Sequence, residues 1–196
     1  MEVPMDKRNL ERTQLALLDS AESLMTEADT PEKVTSRAIA QNAGVNPAMI
    51  NYCFGSRENL LYTVFHRLME KALSGHPEME SILDSGIPPA DKLYAVHFGM
   101  MKLMLSNFNY AQAITRFIIM NRSLESGLDS LELVKQHFAG TKTDEECRLI
   151  TFQLTSLNEL AVLRHDDLRS CCGTDLTDDK QLAAFLHANI DRFLEL

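Results

Sequence analysis

The chain has 196 residues, 45% of them hydrophobic and 24% charged, with a formal net charge of −9. That length and apolar content make it globular, with room for one large core or for a small domain and a larger one. No apolar run approaches the roughly 18 residues that a membrane span needs, and Met1 to Arg8 lacks the apolar centre of a secretory signal, so a cytoplasmic protein with no membrane partner is expected.

The charge is unevenly spread. Residues 1–72 hold eight Lys or Arg against ten Asp or Glu, a net of −2, so the remainder carries −7. A negative total argues against general nucleic-acid binding, so any DNA contact must be a local patch, sensitive to salt. Lys7, Arg8 and Arg12 give the first helix a basic approach. Cys53, Cys147, Cys171 and Cys172 are read as reduced thiols, because adjacent cysteines bridge each other only with strain and the other two stand far apart.

In chain order, Leu15, Leu17, Leu18, Ala21, Leu24 and Met25 recur at three- and four-residue spacing and predict an amphipathic helix from about Asn9 to Ala28. A second, short helix starts at Thr35, whose hydroxyl can cap the exposed N–H groups, and carries Ile39, Ala40 and Ala43 on one stripe. Gly44 ends it by accepting a left-handed backbone, and Val45 anchors the turn. Asn46 caps a third helix with Pro47 at its first position, where a missing N–H does no harm. Ile50 and Phe54 face inward there, leaving Pro47, Ala48, Met49, Asn51 and Tyr52 to project. Two helices around a glycine turn, the second presenting small and polar groups, suit insertion of that second helix into a major groove. Ser56 then caps a fourth helix through Leu60, Leu61, Val64, Phe65, Leu68 and Met69 to a stop near Gly75.

In this first third, the residues Thr35, Arg37, Ile39, Ala40, Ala43, Gly44, Val45, Ile50, Tyr52, Phe54, Ser56, Arg57, Glu58, Leu60 and Leu61 stand at fixed offsets. The pattern resembles the TetR family of transcriptional regulators. The resemblance implies an all-α fold, with an N-terminal three-helix helix-turn-helix DNA-binding domain and a larger helical ligand-binding and dimerisation domain. The segment Ala28 to Lys33 lacks the family's usual Gly-aromatic pair, and Cys53 stands where a histidine is frequent.

Breakers crowd Ser74 to Pro89, with a short helix from Pro77 to Leu83, so the domains are set at 1–74 and 75–196. From Ala90 to Asn107 a helix is apolar almost all round, which predicts burial on most sides. The resemblance makes it a wall of the ligand cavity. Further helices are expected from Tyr110 to Arg122, carrying Ala113, Ile114, Phe117, Ile118 and Met120, and from Leu124 to Ala139, ending at Gly140. Thr143 and Glu146 form a capping box that opens a long helix past Leu160 towards Asp167. The last helix begins near Thr177, with Asp178 and Asp179 at its positive end. The resemblance pairs these last two long helices with their copies in a homodimer, through Leu157, Leu160, Leu182, Phe185, Leu186, Asn189, Ile190 and Phe193.

Candidate chemistry follows from side-chain type. Arg37 reaches a guanine edge or a phosphate, Asn51 an adenine or a phosphate, Tyr52 a phosphate through its hydroxyl, and Met49 a thymine methyl. Asn46, Pro47 and Ala48 let the helix sit close, while Thr35, Ser36 and Arg57 clamp the DNA backbone at helix N-termini. The alternative is that these residues merely cover a three-helix bundle. Met100, Met101, Met104 and Met120, with His97 and Phe117, suit either an adaptable cavity for a small apolar effector or ordinary core packing. Likewise His97 is either a ligand-orienting group or a hydrogen-bonded core histidine. Arg116 meets a ligand carboxylate or an internal acid. Cys171 and Cys172, near His165, Asp166 and Asp167, match no zinc spacing, and no metal or cofactor is called for. No phosphate loop, nucleophile triad or zinc-protease motif is present, so no catalytic residue is assigned. The expected function is a dimeric, ligand-responsive regulator, most simply a repressor of a near-palindromic double-stranded DNA operator. A small helical enzyme, or a protein-interaction adaptor retaining such a head, is the alternative.

Overall fold

The heptad-like run of leucines that opens the chain becomes α1, Lys7–Glu27, whose Leu17, Ala21 and Met25 are buried. This computed structural model describes residues 7–28, 31–74, 86–121, 123–124 and 130–195. A 3-10 turn at Pro31–Lys33 leads into α2, Ser36–Asn42. The Thr35 hydroxyl accepts the Ala38 N–H at 3.1 Å, which is the expected cap. Gly44 takes φ +67°, and Val45 N–H closes the turn on Ala40 O at 3.0 Å. Helix α3, Ala48–Phe54, follows. Its cap is Asn46, whose Oδ1 accepts the Ala48 N–H at 2.9 Å, and Pro47 already has helical backbone at φ −53° and ψ −30°.

Gly55, at φ +75°, ends α3. Ser56 Oγ then accepts the Asn59 N–H at 3.0 Å to open α4, Arg57–Ser74. The side chain of Asn59 donates back to Phe54 O at 2.8 Å, which fixes the angle between α3 and α4. Helices α1 to α4 close around Leu17, Ile39, Ile50, Leu60 and Val64. Ser20 Oγ donates to Ile39 O at 2.8 Å inside this bundle, tying α1 to α2. On its surface Arg67 pairs with Asp19 at 2.7 Å and Lys71 with Glu22 at 2.6 Å, so two of the head's cations bind α1 to α4.

The body is built around α5, Pro89–Ser106, which packs against α4 and four other body helices. These are α6 (Phe108–Asn121), α7 (Leu131–Phe138), α8 (Asp144–Leu163) and α10 (Asp179–Leu194). The short α9, His165–Cys172, lies against α8. A helix apolar on nearly every side thus stands at the centre, as its sequence required. Helix α6 joins body to head by packing on α4 and on the 3-10 turn. Among the described residues there is no strand.

Three expectations need correcting or setting aside. Helix α7 begins at Leu131, not Leu124: Leu124 lies in an exposed turn, and the buried Ser130 hydroxyl is held by His97 rather than by the helix start. Helix α8 stops at Leu163, because Arg164 leaves helical geometry (φ −115°, ψ 25°) and its Nε reaches Asp167 Oδ2 at 2.7 Å in the next helix. The short helix expected at Pro77 to Leu83 lies outside the described residues, as does the side chain of Arg116.

Candidate functional site

The outward face of α3 is assembled by local chemistry. Ile50 is buried and Phe54 half-buried against the head core, which turns Pro47, Ala48, Asn51 and Tyr52 to solvent. Tyr52 keeps 66% of its surface exposed, high for an aromatic side chain that the neighbouring core could have buried. Asn46 and Arg37 are exposed as well, and Arg37 makes no ion pair or side-chain hydrogen bond among the described residues. Thr35 is exposed and Ser36 half-buried at the N-terminus of α2, beside α3. These groups form one face of hydroxyl, amide, phenol and guanidinium around a helix whose first residues are small. Such a surface can enter a groove and donate to phosphates and base edges.

Two candidates sit differently from the sequence expectation. Arg57 is half-buried, and its Nε donates to Val34 O at 2.6 Å while Nη1 reaches Glu58 at 3.2 Å. It therefore locks the approach to α2 onto α4. Met49 is half-buried and packs on the head core, and so does Cys53, whose thiol is pushed up from its ordinary value by burial.

In the body, His97, Met101 and Met104 share the buried stripe of α5. His97 is a satisfied core histidine: Asn158 Nδ2 donates to Nδ1 at 3.0 Å, so Nε2 carries the proton and faces Ser130 Oγ at 3.1 Å. Burial pushes its pKa down to about 4, keeping the ring neutral. Ser130 and Asn158 lie 33 and 61 residues away, and nothing in the sequence pairs either with His97. Met100 and Phe117 are half-buried, Phe117 beside Tyr62 with ring centres 6.1 Å apart. Met120 is a correction: it is 80% exposed at the end of α6, apart from the buried stripe of His97, Met101 and Met104, and among the described residues it lines no cleft.

A cleft of about 510 Å³ opens elsewhere, between head and body. Its floor is Met25, Phe65, Leu68, Leu103 and Phe108, and none of the six expected ligand residues lines it.

Of the eight expected dimer residues, four sit in the protomer's own core. Leu182, Leu186, Asn189 and Ile190 are buried inside the protomer, because that stripe of α10 packs on α5 and α8 of the same chain. Phe185 and Phe193 are half-buried on the same core, and Leu157 is half-buried on α8. Leu160 alone among the eight is well exposed, at 49%. It shares the outer side of α8 with Leu149 and Phe152, at 55% and 39% exposure, neither of them among the residues expected from the sequence. Spacings of three, eight and eleven put these residues on one helical face, so the signal was present but was overshadowed by the equally apolar inner face. The outer side of α10 carries the small, exposed Ala184 and Ala188. Among the described residues, no three His, Cys, Asp or Glu side chains converge as metal ligands, and no helix is long and apolar enough to cross a membrane. Cys171 and Cys172 are exposed at the end of α9.

No protein-family model and no curated protein matches the sequence. Among solved structures, a TetR transcriptional regulator from Rhodococcus sp. RHA1 aligns over 96% of this chain and 98% of its own, with 17% identity and a TM-score of 0.59. A TetR-like transcriptional regulator from the same Rhodococcus aligns over 93% and 96% at 17% identity, with a TM-score of 0.47. NalD of Pseudomonas aeruginosa, the secondary repressor of the MexAB-OprM multidrug efflux pump, aligns over 94% and 96% at 19% identity, with a TM-score of 0.45. The first of these alignments is close enough in shape to carry the fold.

Proposed function

We propose that this chain, whose fold is that of TetR transcriptional regulators, works as a cytoplasmic, dimeric repressor that binds a near-palindromic operator and is released by a small, largely apolar effector. The observation that carries the reading is the outward face of α3: exposed Tyr52, Asn51, Ala48 and Pro47, flanked by the exposed Arg37, on a helix set after a glycine turn. An enclosed head with no partner would gain by burying a tyrosine there, and this one leaves it in water.

Two such helices on a two-fold dimer enter successive major grooves about 34 Å apart, which is why the operator should be near-palindromic. Self-association through the outer faces of α8 and α10 fits the exposed Leu149, Phe152 and Leu160 beside the small Ala184 and Ala188, which let helices approach closely. The effector acts by preferring a dimer whose heads are wrongly spaced, and its influence is limited to that preference.

The test is a mobility shift of purified protein on DNA flanking its own gene, at several salt concentrations. The expected result is a shift whose log affinity falls with log salt by about 0.9 per phosphate contact. Arg37→Ala with Tyr52→Ala should weaken it at least tenfold. Folded, dimeric protein giving no salt-sensitive shift would overturn the reading and favour an adaptor or enzyme built on this head.

A further inference from the structure

The cleft between head and body has properties that the fold does not require. Its walls come from both halves: the end of α1 and the middle of α4 on one side, the end of α5 and the start of α6 on the other. The volume of about 510 Å³ falls within the roughly 300–1,000 Å³ of small-molecule sites. Met25 and Phe65 are buried at the bottom, while Thr26, Ser106, Asn107 and Asn109 are exposed at the rim. In a chain that is 24% charged, the eleven lining residues among those described carry no charge. Water held over so apolar a floor is readily displaced by an apolar group, and a charged one would lose hydration there without an ionic partner.

The cleft also sits where a wedge would be felt. Asn107, at φ −121° and ψ 41°, is the single non-helical residue between α5 and α6, so these two helices form an elbow. From that elbow Tyr110 Oη donates to Ala28 O at 2.9 Å, bridging body to the end of α1. The other end of the relay is Ser20, which holds α1 to α2 through Ile39 O. Material inserted between α1 and the elbow must therefore shift the head that carries α3, or be excluded by it.

We infer that this head–body cleft is the effector site, and that it takes a neutral, mainly apolar small molecule with one or two hydrogen-bonding groups that meet the amide and hydroxyl rim. Its occupancy favours one setting of the head over another. The regulatory half rests on the operator-binding reading above, whereas the binding half does not.

The test uses the full-length protein and N-phenyl-1-naphthylamine, a neutral apolar fluorophore that brightens on leaving water. Wild type should bind it saturably. Ser106→Trp, which fills the mouth, and Thr26→Lys, which puts a charge on the rim, alter exposed residues and should each weaken binding at least tenfold with unchanged melting. His97→Gln, in the body core, should leave binding unchanged. Saturable binding kept in both rim variants would overturn the cleft, in favour of the body core if His97→Gln loses it, and no saturable binding by wild type would overturn it too. With operator present, saturating probe should weaken the wild-type shift at least fivefold and leave the Ser106→Trp shift alone; equal shifts with and without probe would overturn the coupling. If wild type shows no operator shift yet the rim variants lose the probe, the cleft stands as a binding site and the operator reading falls.

Discussion

His97 illustrates how much one side chain's role depends on partners the sequence does not name. It was legible as a titratable group in an apolar helix, open to a ligand role or a core role. Asn158 and Ser130 decide for the core by occupying both ring nitrogens. Burial pushes its pKa from 6.5 down to about 4, so the unfolded chain takes up the proton first. Stability from this group is complete above pH about 6.5 and is lost as pH falls towards 4. Between pH 7 and pH 5 the loss should be about 2 kcal/mol, read from urea denaturation at the two pH values. His97→Gln, which keeps an acceptor for Asn158 and a donor for Ser130, should remove most of that pH dependence. An unchanged slope would place the titration elsewhere. Arg57 teaches the same lesson: its motif position suggested a phosphate clamp, and its Nε also ties the approach to α2 to the start of α4 through Val34 O.

At the scale of elements, local chemistry was the most legible layer. Thr35, Asn46, Ser56 and Thr143 all cap the helices assigned to them, and Glu146 completes the capping box by accepting the Thr143 N–H at 2.7 Å. Each cap is a contact within a few residues, so its information lies entirely in the adjacent sequence. Two helix ends without such caps were misplaced, the start of α7 at Leu131 and the end of α8 at Leu163. The end of α7 carries a local cost: Ala139 sits at φ 46° and ψ 39°, the left-handed region, directly before Gly140 at φ +83°. A Cβ in that region costs on the order of 1–2 kcal/mol, partly offset by the greater freedom of glycine in the unfolded chain. Ala139→Gly should therefore stabilise the protein by about 1 kcal/mol, seen as a raised melting temperature. A lowered melting temperature would contradict this account of the turn.

Assembly belongs to the whole molecule, and there the two faces of α8 and α10 separate. Phe152→Glu with Leu160→Glu changes side chains already in water within the protomer. That pair should convert a dimer to a folded monomer in sedimentation, with helical content retained and operator affinity lost. Leu186→Ala instead removes a side chain buried inside the protomer, and should cost about 2–5 kcal/mol of stability while leaving the outer faces intact. If the Glu variants stay dimeric, the self-association face lies elsewhere.

The sequence by itself determined the helical class, the glycine turn, the capped starts and the outward face of α3, because all of these follow from contacts and periodicities within a few turns of chain. Only the tertiary structure decided which apolar stripe of α10 the protomer keeps for itself, that Met120 points to water, that His97 is already satisfied, and that a cleft opens between head and body. Periodicity says that a face is apolar but not what covers it. That choice is made by helices far apart in sequence, when they compete to bury the same area.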